Sequence, residues 1–181
     1  MNKNIEKEYK VLLTKKQFDT LCQAYKELEF KTQINTYYDT KEMDVRKHKG
    51  AMRIRTIDNQ YIFTLKLHRN RDVYEYETFV NEDSCSALQQ SDVQQLLKDN
   101  DIPNELHRVT QLVTKRAVVD TGDAEICFDI STYHGITDFE IEYEYKRAHD
   151  GLMVFQKILE PIGIIYKKNC TSKIQRSLNT L

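Results

Sequence analysis

The sequence has no tryptophan, no long apolar run, no tandem repeat, no low-complexity segment and no surplus of charge of one sign. Each absence removes a class of protein. Without an uninterrupted apolar stretch of about 20 residues there is no candidate membrane-spanning helix. The opening NKNIEKEYK is charged where a secretory leader needs an apolar run, so a soluble cytoplasmic protein is expected. Lys and Arg number 27 against 28 Asp and Glu, which gives no overall basic field to recruit nucleic acid or an anionic membrane. The four cysteines, Cys22, Cys85, Cys127 and Cys170, form no CxxC pair and no zinc spacing. They read as free, buried thiols in a reducing compartment. No linker-like stretch divides the 181 residues, so one domain spanning residues 1–181 is expected. A chain of this length buries roughly 70% of its unfolded surface and needs no disulfide or structural metal.

What is present is alternation. Asn4 to Leu13, NIEKEYKVLL, puts Glu6, Glu8 and Lys10 on one strand face and Ile5, Tyr9, Val11 and Leu13 on the other. Alone, such a strand is an ordinary solvated sheet edge. The pattern recurs, however. AMRIRTI places Arg53 and Arg55 together, and the Asp58-Asn59 turn leads to YIFTLKLH with Lys66. A second turn at Asn70 to Asp72 leads to VYEYETFV, with Glu75 and Glu77 opposite Tyr74 and Tyr76. RVTQLVTKRAVVD carries Lys115 and Arg116; Arg116 takes the charged face and Lys115 points outward. In EICFDIS, Ile126, Phe128 and Ile130 oppose Cys127 and Asp129. ITDFEIEYEY lines up Asp138, Glu140, Glu142 and Glu144 against Phe139, Ile141, Tyr143 and Tyr145, and four acids in a row repel one another unless something positive meets them.

Helical spacing appears between these strands. Phe18, Leu21, Tyr25 and Leu28 mark one helix face within 14–29, with Thr14 and Gln17 placed as a capping box. Val93, Leu96 and Leu97 mark a second helix in 84–99, and Leu152, Phe155, Ile158 and Leu159 a third that stops at Pro161 and Gly163. A last short helix begins after Ser172 and carries Lys173 and Arg176. Eleven tyrosines read as an outer packing layer between strands and helices rather than a base-stacking platform.

Each strand therefore has an apolar face for helices and a second face dense in both signs of charge. That second face is either solvated on an open sheet or curled into a barrel lumen, where such charges need a ligand or metal to offset desolvation. The carboxylates suit a hard divalent cation such as Mg²⁺ or Mn²⁺, and the Arg and Lys groups suit phosphate oxygens.

IEKEYK resembles the ExExK signature of the CYTH superfamily, the triphosphate tunnel metalloenzymes, and RIR, TLK, YEYE, KR, FD, FEIEYE and SKIQR resemble its later segments in order along nearly the whole chain. The resemblance implies an α+β, mainly β fold: a closed eight-stranded antiparallel barrel with helices outside. It implies a metal-dependent triphosphatase in which Glu6, Glu8, Glu140 and Glu142, supported by Asp129, hold one or two Mg²⁺ or Mn²⁺ ions. Lys10, Arg53, Arg55, Lys66, Arg116, Lys173 and Arg176 hold the triphosphate, with Glu8, Glu142 and Lys66 closest to the chemistry. Glu75, Glu77 and Glu144 position bases or touch metal. The expected partner is a small triphosphate-containing substrate, with no nucleic acid and no membrane; monomer and homodimer stay open. The family also contains thiamine triphosphatases and class IV adenylate cyclases. A cyclase is the runner-up because no base pocket is legible, and a non-catalytic polyphosphate or nucleotide binder is the third reading.

Overall fold

The N-terminal alternation does not make one strand. In the computed structural model, which describes residues 1–70 and 72–180, it breaks at Lys7 into β1 (Asn2–Glu6) and β2 (Glu8–Leu13). The two halves pair with different strands, so Glu6 and Glu8 belong to different ladders. The chain continues through α1 (Lys15–Gln23), β3 (Lys31–Thr40), α2 (Asp44–Lys47), β4 (Ala51–Ile57), β5 (Gln60–Arg69) and β6 (Asp72–Val80). It then runs through α3 (Ser91–Asp99), β7 (Leu106–Asp120), β8 (Ala124–Tyr133), β9 (Ile136–Tyr145), α4 (Gly151–Leu159) and α5 (Lys173–Leu178). Nine strands among the described residues replace the expected eight, and the break at Lys7 supplies the extra one. The expected turn at Asn70 to Asp72 includes Arg71, which lies outside the described residues. Among those residues no helix is long and apolar enough to cross a membrane.

The chain folds into two compact units. The first is Met1–Glu6, Gln33–Leu112 and Ile174–Leu181; the second is Lys7–Thr32 and Val113–Lys173. In the first unit the hydrogen-bonded order is β1-β6-β5-β4-β3, followed by the N-terminal part of β7. In the second it is the C-terminal part of β7, then β8, β9 and β2. The β3–β4, β4–β5, β5–β6, β7–β8 and β8–β9 ladders are all antiparallel; short hairpins join β4 to β5, β7 to β8 and β8 to β9, while residues 41–50, with α2, join β3 to β4.

Each unit has its own core, built from the apolar face of its strands and the stripe of a helix. In the first, Met52, Ile54, Phe63, Leu65 and Val80 pack with Leu88, Val93, Leu96 and Leu97. In the second, Phe18 and Leu21 of α1 and Phe155 and Leu159 of α4 pack with Phe128, Ile141 and Tyr143. Tyrosines fill this layer as expected: Tyr9, Tyr143 and Tyr166 have ring centroids 5.9, 5.9 and 5.5 Å from that of Phe155. Gly151 opens α4 where no side chain fits, because a Cβ there would lie 2.5 Å from the Tyr145 ring.

Local signals fixed several of these elements. Both halves of the Thr14–Gln17 capping box form. Asp58 and Asn59 both have positive φ, the backbone a tight two-residue hairpin between β4 and β5 demands. The four cysteines are free thiols, but Cys127 alone is fully buried and Cys85 is exposed, since it lies in the loop before α3 rather than on a strand.

Candidate functional site

Each unit carries its own charged strand face. In the second unit strand register sets the positions: Arg116 on β7 lies opposite Asp129 on β8, Asp129 lies opposite Glu140 on β9, and Glu142 lies opposite Lys10 on β2. The Arg116 guanidinium donates from Nε to Asp129 Oδ1 at 2.7 Å and from Nη2 to Oδ2 at 2.5 Å, a two-pronged geometry. Nη2 also reaches Glu142 Oε2 at 2.5 Å. Lys173 sends its ammonium into the same group, 2.8 Å from Asp129 Oδ2 and 2.6 Å from Glu142 Oε1, and pairs closely with Glu140. Asp129, Glu140 and Glu142 are buried, with Asp129 at 0% exposure.

Burial alone would push the carboxyls of Asp129 and Glu142 up. The two cations outweigh it, so Asp129 lies below the usual carboxylate range and Glu142 well below it. Burial works against the Arg116 and Lys173 charges too, and the carboxylates outweigh it, raising both groups well above their ordinary values. Lys10 behaves alike: Glu8, with which it pairs, and Glu142 hold its ammonium above the ordinary lysine value despite burial. Cys127 shares this strand face, and burial pushes its thiol up to about 12, so it is a neutral neighbour rather than a thiolate.

The loop before α5 holds β2 in place. Asn169 Oδ1 accepts from Lys10 N at 2.8 Å, Asn169 Nδ2 donates to the Glu8 carbonyl at 3.1 Å, and Cys170 N donates to the Lys10 carbonyl at 3.2 Å. The Cys170 thiol also donates to Glu140 Oε2 at 3.3 Å. Sequence reasoning missed Asn169 and Cys170, because a loop residue that bonds a strand some 160 positions away leaves no local pattern.

In the first unit the charged face runs across β4, β5 and β6. Lys66 Nζ lies 2.5 Å from Glu6 Oε1 and 3.6 Å from Glu75 Oε1. Thr64 donates to Glu77 Oε1 at 3.0 Å, and Arg55 Nε donates to Asn35 Oδ1 at 3.1 Å. Arg53 lies opposite Thr64 on β5 and Tyr37 on β3, so it shares this face. Arg176 is half-buried on α5, which Ser177 ties to β7 through a 2.6 Å hydroxyl contact with Thr110. Glu75 and Glu77 thus sit as partners of Lys66 and Thr64, and Lys115 is exposed. Thr64 and Asn35 were not singled out from the sequence, although period-two spacing from Lys66 and the β3–β4 pairing place them on this face.

The structure thus brings Asp129, Glu140 and Glu142 together with Arg116 and Lys173, and leaves Glu8 on Lys10 and Glu6 on Lys66. Asp129, Glu140 and Glu142 each offer a carboxylate oxygen, all within 4.8 Å of one another. Three hard oxygen donors at that spacing fit a divalent cation such as Mg²⁺ or Mn²⁺.

The model of the CYTH domain family matches residues 4–178. The chain belongs to the CYTH family. This CYTH protein is 31% identical over 176 residues to the Bacillus subtilis protein named "Putative triphosphatase YjbK", covering 91% of this chain and 90% of that one. A crystal structure of a Bacillus halodurans protein called a "putative adenylate cyclase" matches it with a TM-score of 0.85 at 31% identity, over 97% of this chain and 98% of the other. HpAC1 from Hippeastrum, described as having a dominant triphosphatase activity, shares the fold with a TM-score of 0.76 at 22% identity, covering 97% and 95% of the two chains. The mainly-β antiparallel fold with helices on the apolar strand faces, expected from the resemblance, is therefore that of the CYTH family.

Proposed function

We propose that this CYTH protein is a divalent-metal-dependent hydrolase of inorganic triphosphate or a small organic triphosphate. The observation that carries the reading is the convergence of Asp129, Glu140 and Glu142 with Arg116 and Lys173 in one buried cluster. A triphosphatase needs a hard cation beside phosphate-binding bases, and this arrangement supplies the donors for both. The relationship to YjbK supports hydrolysis of a triphosphate.

Asp129, Glu140 and Glu142 hold Mg²⁺ or Mn²⁺, with Glu8 as a further acid of the set. The ion supplies neutralisation of phosphate oxygens and activation of water. Arg116, with its guanidinium fixed by Asp129 and Glu142, presents a rigid donor to a phosphate oxygen. Lys10 and Lys173 add ammonium charge that offsets the negative charge growing on the leaving phosphate. In the first unit Arg53, Arg55, Lys66 and Arg176 bind phosphate oxygens, with Glu6, Glu75 and Asn35 orienting two of them. Glu142 has a second role: it pairs with both Arg116 and Lys173, so its loss releases two bases at once.

The test is a substrate panel of tripolyphosphate, thiamine triphosphate and ATP with Mg²⁺ or Mn²⁺, assayed for phosphate, diphosphate and cyclic AMP. Phosphate release that needs the metal and disappears in Glu142→Gln is expected. Cyclic AMP with diphosphate from ATP would establish the cyclase reading, to which the resemblance to the Bacillus halodurans protein lends weight. Metal-independent release, or full activity in Glu142→Gln, refutes the assignment.

A further inference from the structure

We propose that Lys173 is the internal cation of the Asp129–Glu140–Glu142 cluster, so that a divalent ion binds there by displacing its ammonium. The inference rests on the metal-dependent reading above and extends it. Lys173 Nζ lies 2.8 Å from Asp129, 2.6 Å from Glu142 and in close ion-pair contact with Glu140, the same three side chains whose oxygens are spaced to hold an ion. A Mg²⁺-sized ion takes oxygens at about 2.0–2.1 Å, and an ammonium cannot share that space with it.

Charge points the same way. The three carboxylates already hold the Lys173 ammonium and the Arg116 guanidinium among them. A divalent ion in place of the ammonium raises the buried charge by one, whereas one added beside it raises it by two, so exchange costs less desolvated charge than addition.

Of the two cations, Lys173 is the one built to leave. Arg116 is pinned by a two-pronged bond to the residue directly opposite on β8 and by a third bond to Glu142. Lys173 carries a compact charge on four rotatable methylenes. Three and four residues earlier, Cys170 and Asn169 anchor the loop to β2, so the chain preceding Lys173 stays put while its side chain turns. Metal entry then does two things at one residue: it fills the cluster, and it frees an ammonium for phosphate. The bases of the second unit are completed only once the ion is bound.

Mn²⁺ binding to the full chain without triphosphate tests this, read by calorimetry and by the electron paramagnetic resonance signal of free Mn²⁺. Lys173→Gln and Lys173→Met are expected to bind Mn²⁺ about 10- to 100-fold more tightly than wild type, because the charge-assisted contacts of the ammonium no longer compete. Lys173→Arg, which retains the charge, shows no such gain. Lys10→Gln removes a neighbouring charge that pairs with Glu8 instead, and its gain is smaller. In wild type, reductive methylation of Lys173 followed by mass spectrometry speeds up when Mn²⁺ is added. Unchanged or weaker binding in both neutral Lys173 variants overturns the proposal. So does a gain in Lys10→Gln equal to that in Lys173→Gln, which would reduce the effect to general electrostatics, and so does Lys173 reactivity indifferent to Mn²⁺. If no variant binds Mn²⁺, the metal reading falls together with the inference. Lys173-dependent Mn²⁺ binding with no phosphate released from any triphosphate sinks the hydrolase reading alone.

Discussion

Asp129→Asn probes the most buried charge in the second unit. The wild-type carboxylate accepts two hydrogen bonds from Arg116 and pairs with Lys173 at 2.8 Å, with no exposure to water. Asparagine keeps one acceptor and turns an NH₂ toward groups that are themselves only donors. Removing one partner from a buried pair leaves the others uncompensated, at a cost of about 3–5 kcal/mol. For a chain of this size about 2–4 °C of melting temperature goes with each kcal/mol, so a fall of about 6–20 °C at pH 7 is expected. The pH dependence checks the cause. Burial raises the Asp129 carboxyl, but Arg116 and Lys173 outweigh it and leave the folded value below the unfolded one of about 4. Its contribution is then fully present above the unfolded value and is lost as pH falls through the folded value. The gap between wild type and Asp129→Asn, measured by urea denaturation, should be full at pH 7 and narrow progressively below about pH 4. A gap under about 1 kcal/mol at pH 7, or one that widens with acid, refutes the account.

Two further substitutions test the frame that holds the cluster. Phe155→Ala removes a ring with no exposed surface that packs among Tyr9, Tyr143 and Tyr166, so a loss of about 3–5 kcal/mol in urea denaturation is expected. A loss below about 1 kcal/mol would mean that the site refills on its own. Thr14→Ala removes the hydroxyl that accepts from Gln17 N at the start of α1, and it should cost about 1 kcal/mol with no change in Mn²⁺ binding.

Much of this was legible because the relevant signals are local. Period-two alternation assigned Arg116, Asp129, Glu140 and Glu142 to a charged face, and β7–β8–β9 pairing then placed them side by side. The capping box and the Asp58-Asn59 turn likewise need only neighbouring residues. The break at Lys7 was not legible, because NIEKEYK alternates straight through it. What divides the segment is pairing: β1 takes β6 as its neighbour, β2 takes β9, and the Lys7 carbonyl accepts from Tyr145 N. That is a tertiary fact with no trace in the alternation. It also explains why Glu6 and Glu8, two residues apart, meet different lysines. The helix α2 was missed for a related reason. It has four residues, and its first amides at Val45 and Arg46 are satisfied by Asp39, from the preceding strand.

The cluster itself argues against a purely structural role. Burying ions costs several kcal/mol apiece, and replacing a buried ionic group by apolar residues of similar volume is commonly neutral or stabilising by about 1–4 kcal/mol. The second unit already has an apolar core on the other face of the same strands, so packing alone does not call for Asp129, Glu140 and Glu142. Their two cations differ in build as well: Arg116 is a planar fork and Lys173 a compact charge on a flexible stem. A cluster kept at that cost, with a lysine ammonium on the same three carboxylates, is what the proposed exchange of that ammonium for a divalent ion accounts for.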